Sequence, residues 1–297
     1  MKNKAITFTV LFKANSLNYG EGTANISELK KFHRGNGSVY SFASRQSIRY
    51  DIVRLGNQYF GWNLDVVDKT QKVIQFRADA TIRDSVEMDL FGYMKTKAKS
   101  GADKRSAVVR LSHAISLEPY RSDLEFLNNM GLAARINEDA NLATIEQHIS
   151  YYTYTVTMDL TRVGIDQEIE LSPEEKINRV TQFLEVTKLL NREIRGRQEN
   201  LAPLFIIGGA YPIPNPFFQG RAALDNQGLN KVNIALLKDT VDSNIFDVSL
   251  KDFTKIGYVS GVFDNEKDFS SITSAGSVND FYNSLIDQVK AFFGDSK

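Results

Sequence analysis

The amino-acid sequence predicts an α+β fold, and three observations carry that reading. Segments 44–56 and 172–196 combine helix-start chemistry with an apolar stripe at helical spacing, and a third such segment follows Ser277. Between them lie several blocks of β-branched and aromatic residues. Runs of strands broken by two or three helices, without the regular alternation of a parallel α/β protein, are the α+β pattern. No internal repeat or low-complexity tract interrupts residues 1–297, so a single domain is expected.

Taken in order, Ile6 to Phe12 is an apolar run ended by Lys13, and residues 4–13 read as a buried strand. Residues 14–40, rich in Gly, Asn and Ser and carrying Lys30, Lys31, His33 and Arg34, read as a long basic loop. The helix over 44–56 has Ser44 as N-cap, Ile48, Ile52 and Leu55 as its stripe, and Gly56 as its stop. Residues 57–117 read as strands, with 73–76, 86–94 and 107–111 the best candidates. Between the last two, Lys95, Lys97, Lys99, Lys104 and Arg105 place five cations in eleven residues, a turn expected to face solvent or a phosphate chain. Ile149 to Leu160 has strand composition. The helix that follows has Ser172 as cap, Pro173 in its first turn, Glu175 completing a capping box, and an apolar face through Leu190 and Ile194 to a stop at Gly196. Residues 204–207, 232–237 and 256–262 read as later strands, and the last helix buries Val278, Phe281, Leu285, Val289 and Phe292. A ferredoxin-like core with insertions is compatible with this order, because that module also begins β-α-β.

Composition excludes several function classes. The chain has no cysteine, which removes a disulfide framework, a thiolate metal site and a cysteine nucleophile. Residues 6–12 are too short for a secretory signal and no apolar stretch spans a bilayer, so a soluble, cytoplasmic protein without a membrane partner is expected. The 36 basic and 36 acidic residues cancel, but not locally. Residues 1–110 hold 19 Lys and Arg against 10 Asp and Glu, and the remainder reverses that excess. Such asymmetry suits a chain that binds a polyanion with one part.

The search for chemistry finds no catalytic constellation. His33, His113 and His148 form no metal-ligand spacing, and His113 reads equally well as a satisfied core residue. Asp79, Asp84, Glu87 and Asp89 form an acidic run of the kind that holds Mg²⁺, but the interleaved Arg77 and Arg83 suit a solvated strand edge better. Gly20, Gly22, Gly35 and Gly37 match neither a Walker A loop nor a dinucleotide fingerprint. Gly208 and Gly209 mark a place of close backbone approach or positive φ, and the prolines at 212, 214 and 216 an extended loop. No cofactor and no metal are expected.

A nucleic-acid site uses more features at once. A helix N-terminus at Ser44, Arg45 and Gln46 offers backbone N–H groups to phosphate, and Arg45 and Arg49 add charge there. Asn15, Asn18 and Asn25 offer contacts to sugar and base edges, Lys30 and Lys31 add charge, and Phe32, Tyr40 and Phe42 are candidates for stacking on bases, with core packing the alternative.

The block Leu17 to Asn25, then Leu29-Lys30-Lys31, then Ser44 to Ile52 resembles the type I-B CRISPR backbone subunits, the DevR-like autoregulator family of the RAMP superfamily. Asp89 to Met94, Tyr151 to Tyr154, and Asp159-Leu160 with Gly164 fit the same family. Tyr19 stands where many of its members carry a basic residue. The resemblance implies a modified RRM-like palm with large insertions, a finger-like region at about 57–105 and a thumb hairpin at 118–148, with Phe126, Leu127 and Met130 as the wedge that displaces bases. It also implies many copies in a helical filament along a CRISPR guide RNA, contact with target DNA through that guide, and other Cascade partners: a large subunit, a guide 5′-end-capping subunit and a guide-processing subunit. No catalysis is expected, since related cleaving subunits use a loop aspartate and residues 14–40 contain none. Two alternatives stand beside this reading: a stand-alone nucleic-acid-binding autoregulator, and a metal-dependent nuclease built on the acidic run.

Overall fold

A computed structural model describes residues 3–69, 73–97, 101–225 and 230–294. It is an α+β protein built on a large central sheet. In chain order the main elements are β1 (Ala5–Asn15), β2 (Lys31–His33), β3 (Val39–Ala43), α1 (Arg45–Phe60), α2 (Val86–Phe91), β4 (Tyr93–Lys97), β5 (Gly101–Arg105), β6 (Val109–Leu111), β7 (Ala114–Ser116), β8 (Asp123–Asn128), β9 (Leu142–Gln147), β10 (Ile149–Asp159), α3 (Pro173–Lys188), β11 (Asn191–Ile194), β12 (Arg197–Asn200), β13 (Phe205–Tyr211), α4 (Ile234–Val241), β14 (Thr254–Tyr258), β15 (Ser274–Ser277) and α5 (Val278–Gly294). The sheet runs β15-β14-β13-β1-β10-β7-β3-β2, with β6 also paired to β10. All these pairs are antiparallel except β14 with β15.

β1 and β10 form the centre, paired from Ala5 opposite Asp159 to Asn15 opposite Ile149. Alternation along a strand sends successive side chains to opposite faces. Ile6, Phe8, Val10 and Phe12 meet Tyr152, Tyr154, Val156 and Met158 on one face, where α1, α3 and α5 supply Ile52, Phe183, Leu184, Leu285 and Val289. On the other face, Leu11, Phe205 and Ile207 are covered by residues 217–272, including α4. Each fully buried large apolar side chain contributes about 1.5–3 kcal/mol. Tracing β1, α1, β7, β10, α3 and β13 in sequence gives a β-α-β-β-α-β succession whose strands lie in the order β13-β1-β10-β7.

Helix ends follow side-chain chemistry. Ser44 accepts from Ser47 N–H and Ser172 from Glu175 N–H. Glu175 does not reach back to close a capping box; it holds Arg179 at 2.7 Å. The reciprocal box occurs at α5, where Ser277 N–H donates to Asp280 and Asp280 N–H to the Ser277 hydroxyl, both at 3.1 Å.

Several expectations are corrected. Of the strand expected at 86–94 only Tyr93 and Met94 lie on one, at the start of β4, and residues 86–91 are helical. Ser85 caps α2 by accepting from Met88 N–H, and Gly92 at φ +72° ends it before β4. Residues 232–237 are not a strand, because Asn233 caps α4 through Leu236 N–H. α1 continues past Gly56 to a left-handed Gly61, and Gly56 lies under the Trp62 ring, where a side chain would collide. α3 ends at Lys188, so Leu190 and Ile194 are not on it. Arg195 and Gly196, both at positive φ, turn the chain from β11 into β12, as a two-residue hairpin turn requires. The stretch 14–40 is not one loop: it holds β2, the start of β3 and the short strand Ile26–Ser27. Of the strand expected at 73–76 only Gln75–Phe76 forms, and of that expected at 256–262 residues 256–258 form, as part of β14. Lys99 lies outside the described residues. Lys95 and Arg105 are buried: Lys95 donates to the carbonyls of Ala78 and Ala80, and Arg105 joins Asp89.

The solvated reading of the acidic run holds for the exposed Asp79 and Asp84 but not for Asp89. Asp89 is fully buried, with Arg105 at 2.7 Å, Arg179 at 3.0 Å and Gly164 N–H at 3.0 Å. This knot ties α2, β5 and α3 together. Gly208 and Gly209 lie inside β13, where a Cβ would overlap the carbonyl oxygens of Thr7 and Phe253. Among the described residues no helix is long and apolar enough to cross a membrane.

Candidate nucleic-acid interface

The period-two pattern of β10 creates the site. Tyr152, Tyr154, Val156 and Met158 go to the core under α1, α3 and α5, which leaves Thr153, Thr155, Thr157 and Asp159 on the opposite face. Residues 217–272 cover the β13–β14 side of that face but leave the β6–β7 side open. The result is a cleft of about 980 Å³ floored by Thr153, Thr155, Thr157 and Ser112, with a wall at Pro214, Pro216 and Gly220. Four arginines line it, Arg34, Arg45, Arg110 and Arg162, against one carboxylate, Asp159. Asp159 is turned to Thr161, accepting from its hydroxyl at 2.6 Å and its N–H at 3.1 Å. Arg110 lies opposite Thr157 in the ladder, and Arg162 is steadied by the Ser106 carbonyl at 2.8 Å. The Thr153 hydroxyl has no partner among the described residues. Clustered guanidiniums with hydroxyl donors and acceptors between them suit a phosphodiester chain.

Arg45 joins this cleft to the start of α1. The buried Asn18 donates to the Ser44 hydroxyl at 3.2 Å, and Ser44 in turn caps the helix. Arg45 N–H donates to His113 Nδ1 at 3.1 Å, which places the proton of the neutral ring on Nε2. Burial first, and the Arg45 charge second, hold the His113 pKa below the ordinary histidine value. Two N–H groups of the first turn are therefore already engaged, and the exposed Arg45 and Gln46 side chains carry the outward-facing chemistry.

The other sequence-predicted residues fall into separate places. Lys31 sits at the base of β9, its ammonium 2.7 Å from both Glu146 oxygens and over the Tyr120 ring. Glu146 is partly desolvated, but Lys31 and Leu29 N–H outweigh that and hold its pKa below the usual carboxylate value. Asn25 is exposed beside β9, its carbonyl accepting from Thr144 N–H, and Lys30 is half-buried. The Asn15 side chain accepts from Ser16 and its N–H is held by Glu199. Arg49 pairs with Glu87 at 2.6 Å over the Phe91 ring. Asn18, Ser44, Arg45 and Gln46 thus form one group, and Asn25 and Lys31 another at the foot of the 123–147 hairpin.

That hairpin pairs β8 with β9 and carries a short helix, Met130–Ala133. Phe126 is 61% exposed, Met130 64% and Leu127 38%. His148 anchors its foot: Nδ1 lies 2.7 Å from the Ser41 hydroxyl, which also meets the Tyr152 hydroxyl at 2.8 Å. In the acidic run, Asp79 lies 3.5 Å from Arg77 and Asp84 bonds Thr81.

Sequence reasoning placed Arg34 only in a basic loop and missed Arg110, Arg162 and Arg195. The polar residues at every second position of β10 signal the wet face on which Arg110 and Arg162 lie. Arg195, at the tip of the β11–β12 turn, stacks 4.3 Å over the Tyr19 ring, and nothing local in the sequence announces that contact.

A family model described as CRISPR-associated negative auto-regulator DevR/Csa2 matches residues 6–226. No curated protein matches the chain by sequence. Solved structures share the fold, two of them as follows. A chain described as "CRISPR RNA-guided surveillance complex, pre-nicking" superposes with a TM-score of 0.61 at 12% identity, covering 99% of this chain and 100% of its own. A second, "CRISPR RNA-guided surveillance complex", gives 0.53 at 12% identity with the same coverage.

Proposed function

This chain belongs to the CRISPR-associated DevR/Csa2 family, and from that premise we propose that it is a non-catalytic, guide-RNA-binding backbone subunit of a type I-B CRISPR interference complex. Copies of it line up in a helical filament along the guide spacer and support pairing with target DNA, beside the large, guide-capping and guide-processing subunits, in the cytoplasm. The observation that carries the reading is the convergence of Arg34, Arg45, Arg110 and Arg162 on an open, hydroxyl-floored cleft with a single carboxylate. Cations grip the phosphates without reading sequence, which a coat over arbitrary spacers requires.

The strand order β13-β1-β10-β7, with α1 and α3 on one side, supports a modified RRM-like, ferredoxin-like palm. The hairpin within 118–148 is the thumb of this reading, with Phe126, Leu127 and Met130 its base-displacing wedge, and residues 57–105 its finger-like insertion. Arg45 and Gln46 contact RNA directly, and Asn18 and Ser44 set the helix start from which they project. Asn15, Asn25, Lys30, Lys31 and Arg49 are further RNA-binding residues of this reading, outside the Arg45 cleft. The family description also names an auto-regulator, which favours a second reading: one chain on a defined nucleic-acid site without a guide.

Co-purification separates the two. The tagged chain is expressed with a CRISPR array and its neighbouring genes, and bound nucleic acid is extracted and sized. Discrete guide-length RNA carrying several copies of the chain is the expected result. A nucleic-acid-free monomer refutes the coating role.

A further inference from the structure

We infer that Phe32 and Phe42 form a stacking platform that receives one unpaired base of a bound single-stranded RNA. The inference rests on the RNA-binding reading and adds a base-contacting subsite to a cleft that otherwise offers only phosphate and sugar contacts.

Strand register assembles the platform. Phe32 on β2 is opposite Tyr40 on β3, Phe42 is opposite Ile115 on β7, and Ile115 is opposite Thr153 on β10. These side chains therefore share the face opposite α1, α3 and α5, in a row that leads from the sheet edge to the cleft floor. The Phe32 and Phe42 rings are stacked, 3.9 Å between centroids and 11° from parallel. Phe32 remains 39% exposed although Phe42 lies against it. His113 stands edge-on to both rings, at 5.7 and 5.3 Å, and forms a side wall.

A partly exposed phenylalanine is by itself an ordinary surface feature. The surroundings of this one match a nucleotide. Arg34, held over the Tyr40 ring at 4.3 Å, and Arg45, whose N–H fixes His113, supply cations beside the rings for the flanking phosphates. Thr153, Thr155 and Thr157 line the cleft further along the same face, with the Thr155 hydroxyl held by Thr9 at 2.8 Å, and a hydroxyl-bearing floor is polar enough to face a ribose and its 2′-OH. Every base has a π-face, so stacking adds affinity without sequence preference.

The test measures binding of the full chain to a fluorescent single-stranded RNA across a salt series, with the wild type, Phe32→Leu and Phe32→Trp. Leucine keeps an apolar side chain at this partly exposed position but removes the π-face. Phe32→Leu should weaken binding about 5- to 150-fold and leave the salt slope unchanged, since no phosphate contact is lost. Phe32→Trp should restore affinity to at least that of the wild type. An RNA of abasic residues should bind the wild type about as weakly as ordinary RNA binds Phe32→Leu, and should bind both proteins equally. Equal affinity of wild type and Phe32→Leu for ordinary RNA overturns the platform while leaving the coating role intact. A change in salt slope, or failure of tryptophan to restore binding, also overturns it. Absence of RNA binding by the wild type removes the coating reading and the platform with it.

Discussion

Replacing Asp89 by asparagine changes one atom type in the most heavily bonded buried carboxylate described above, and the structure sets the size of the effect. Asp89 accepts from Arg105, Arg179 and Gly164 N–H with no exposure to solvent, and each guanidinium side chain is itself only 4% exposed. Asparagine keeps one acceptor oxygen but turns an NH₂ donor toward guanidinium donors and removes the negative charge that lies between the two guanidiniums. Breaking a buried pair by removing one partner costs about 3–5 kcal/mol. Both arginines keep other acceptors: Arg105 has Asp166 at 3.5 Å and the Arg162 carbonyl at 2.9 Å, and Arg179 has Glu175 at 2.7 Å. The lower end of that range, about 3 kcal/mol, is therefore expected. At this chain length, that corresponds to a fall in Tm of about 5 °C. The assay is the urea midpoint of Asp89→Asn against wild type, with the slope unchanged to show that the folded and unfolded states are otherwise the same. A metal site would behave oppositely. In metal-free buffer, removing a charge from a carboxylate cluster relieves repulsion and leaves stability equal or higher. A midpoint shift equivalent to less than about 1 kcal/mol refutes the ion-knot account of Asp89.

Arg45→Ala should weaken binding to single-stranded RNA and lower the salt slope by about one, while Lys31→Ala should leave the slope nearly unchanged because Glu146 already neutralises that ammonium. Equal slope changes for the two would refute the distinction. His148 and His113 both have pKa values held below the ordinary histidine value, by burial first in each case, despite Glu118 and Asp123 acting on His148 in the other direction. The unfolded chain therefore takes up these protons first, so the stabilisation is complete above about pH 6.5 and is lost as pH falls below it. Tm should drop between pH 7.5 and 5.5, and His148→Gln should flatten that drop; identical pH profiles would refute it. Gly209→Ala should cost about 3 kcal/mol or more, because its Cβ meets the Phe253 carbonyl, whereas Gly35→Ala, in open space, should be neutral in the same denaturation assay.

The fold was legible where local chemistry and burial agree. β1, β10 and α5 stand where alternation or helical spacing placed them, and Ser44 and Ser172 cap the helices they were expected to cap. The errors share one cause. In 86–94 and 232–237 the apolar run is too short for its period to separate a buried helix turn from a strand, and the deciding contacts are the caps from Ser85 and Asn233. Beyond Lys188, Leu190 and Ile194 continue the helical spacing by coincidence, and a hairpin turn at Arg195 and Gly196 prevails over it.

By itself the sequence determined the fold class, the starts of α1, α3 and α5 and, through the resemblance carried by residues 17–52, the family. It also supplied Arg45, because charge beside a helix cap is written within a few neighbouring residues. Only the tertiary structure decided which charges face outward. Lys31, Arg49, Lys95 and Arg105 are engaged by Glu146, Glu87, two backbone carbonyls and Asp89, while Arg34, Arg45, Arg110 and Arg162 come from distant segments onto one face of the sheet. The physical reason is that a cation's availability depends on what lies within a few ångströms of it in space. That neighbourhood is set by strand order and register between β3, β6, β7 and β10, which no local spacing along the chain encodes.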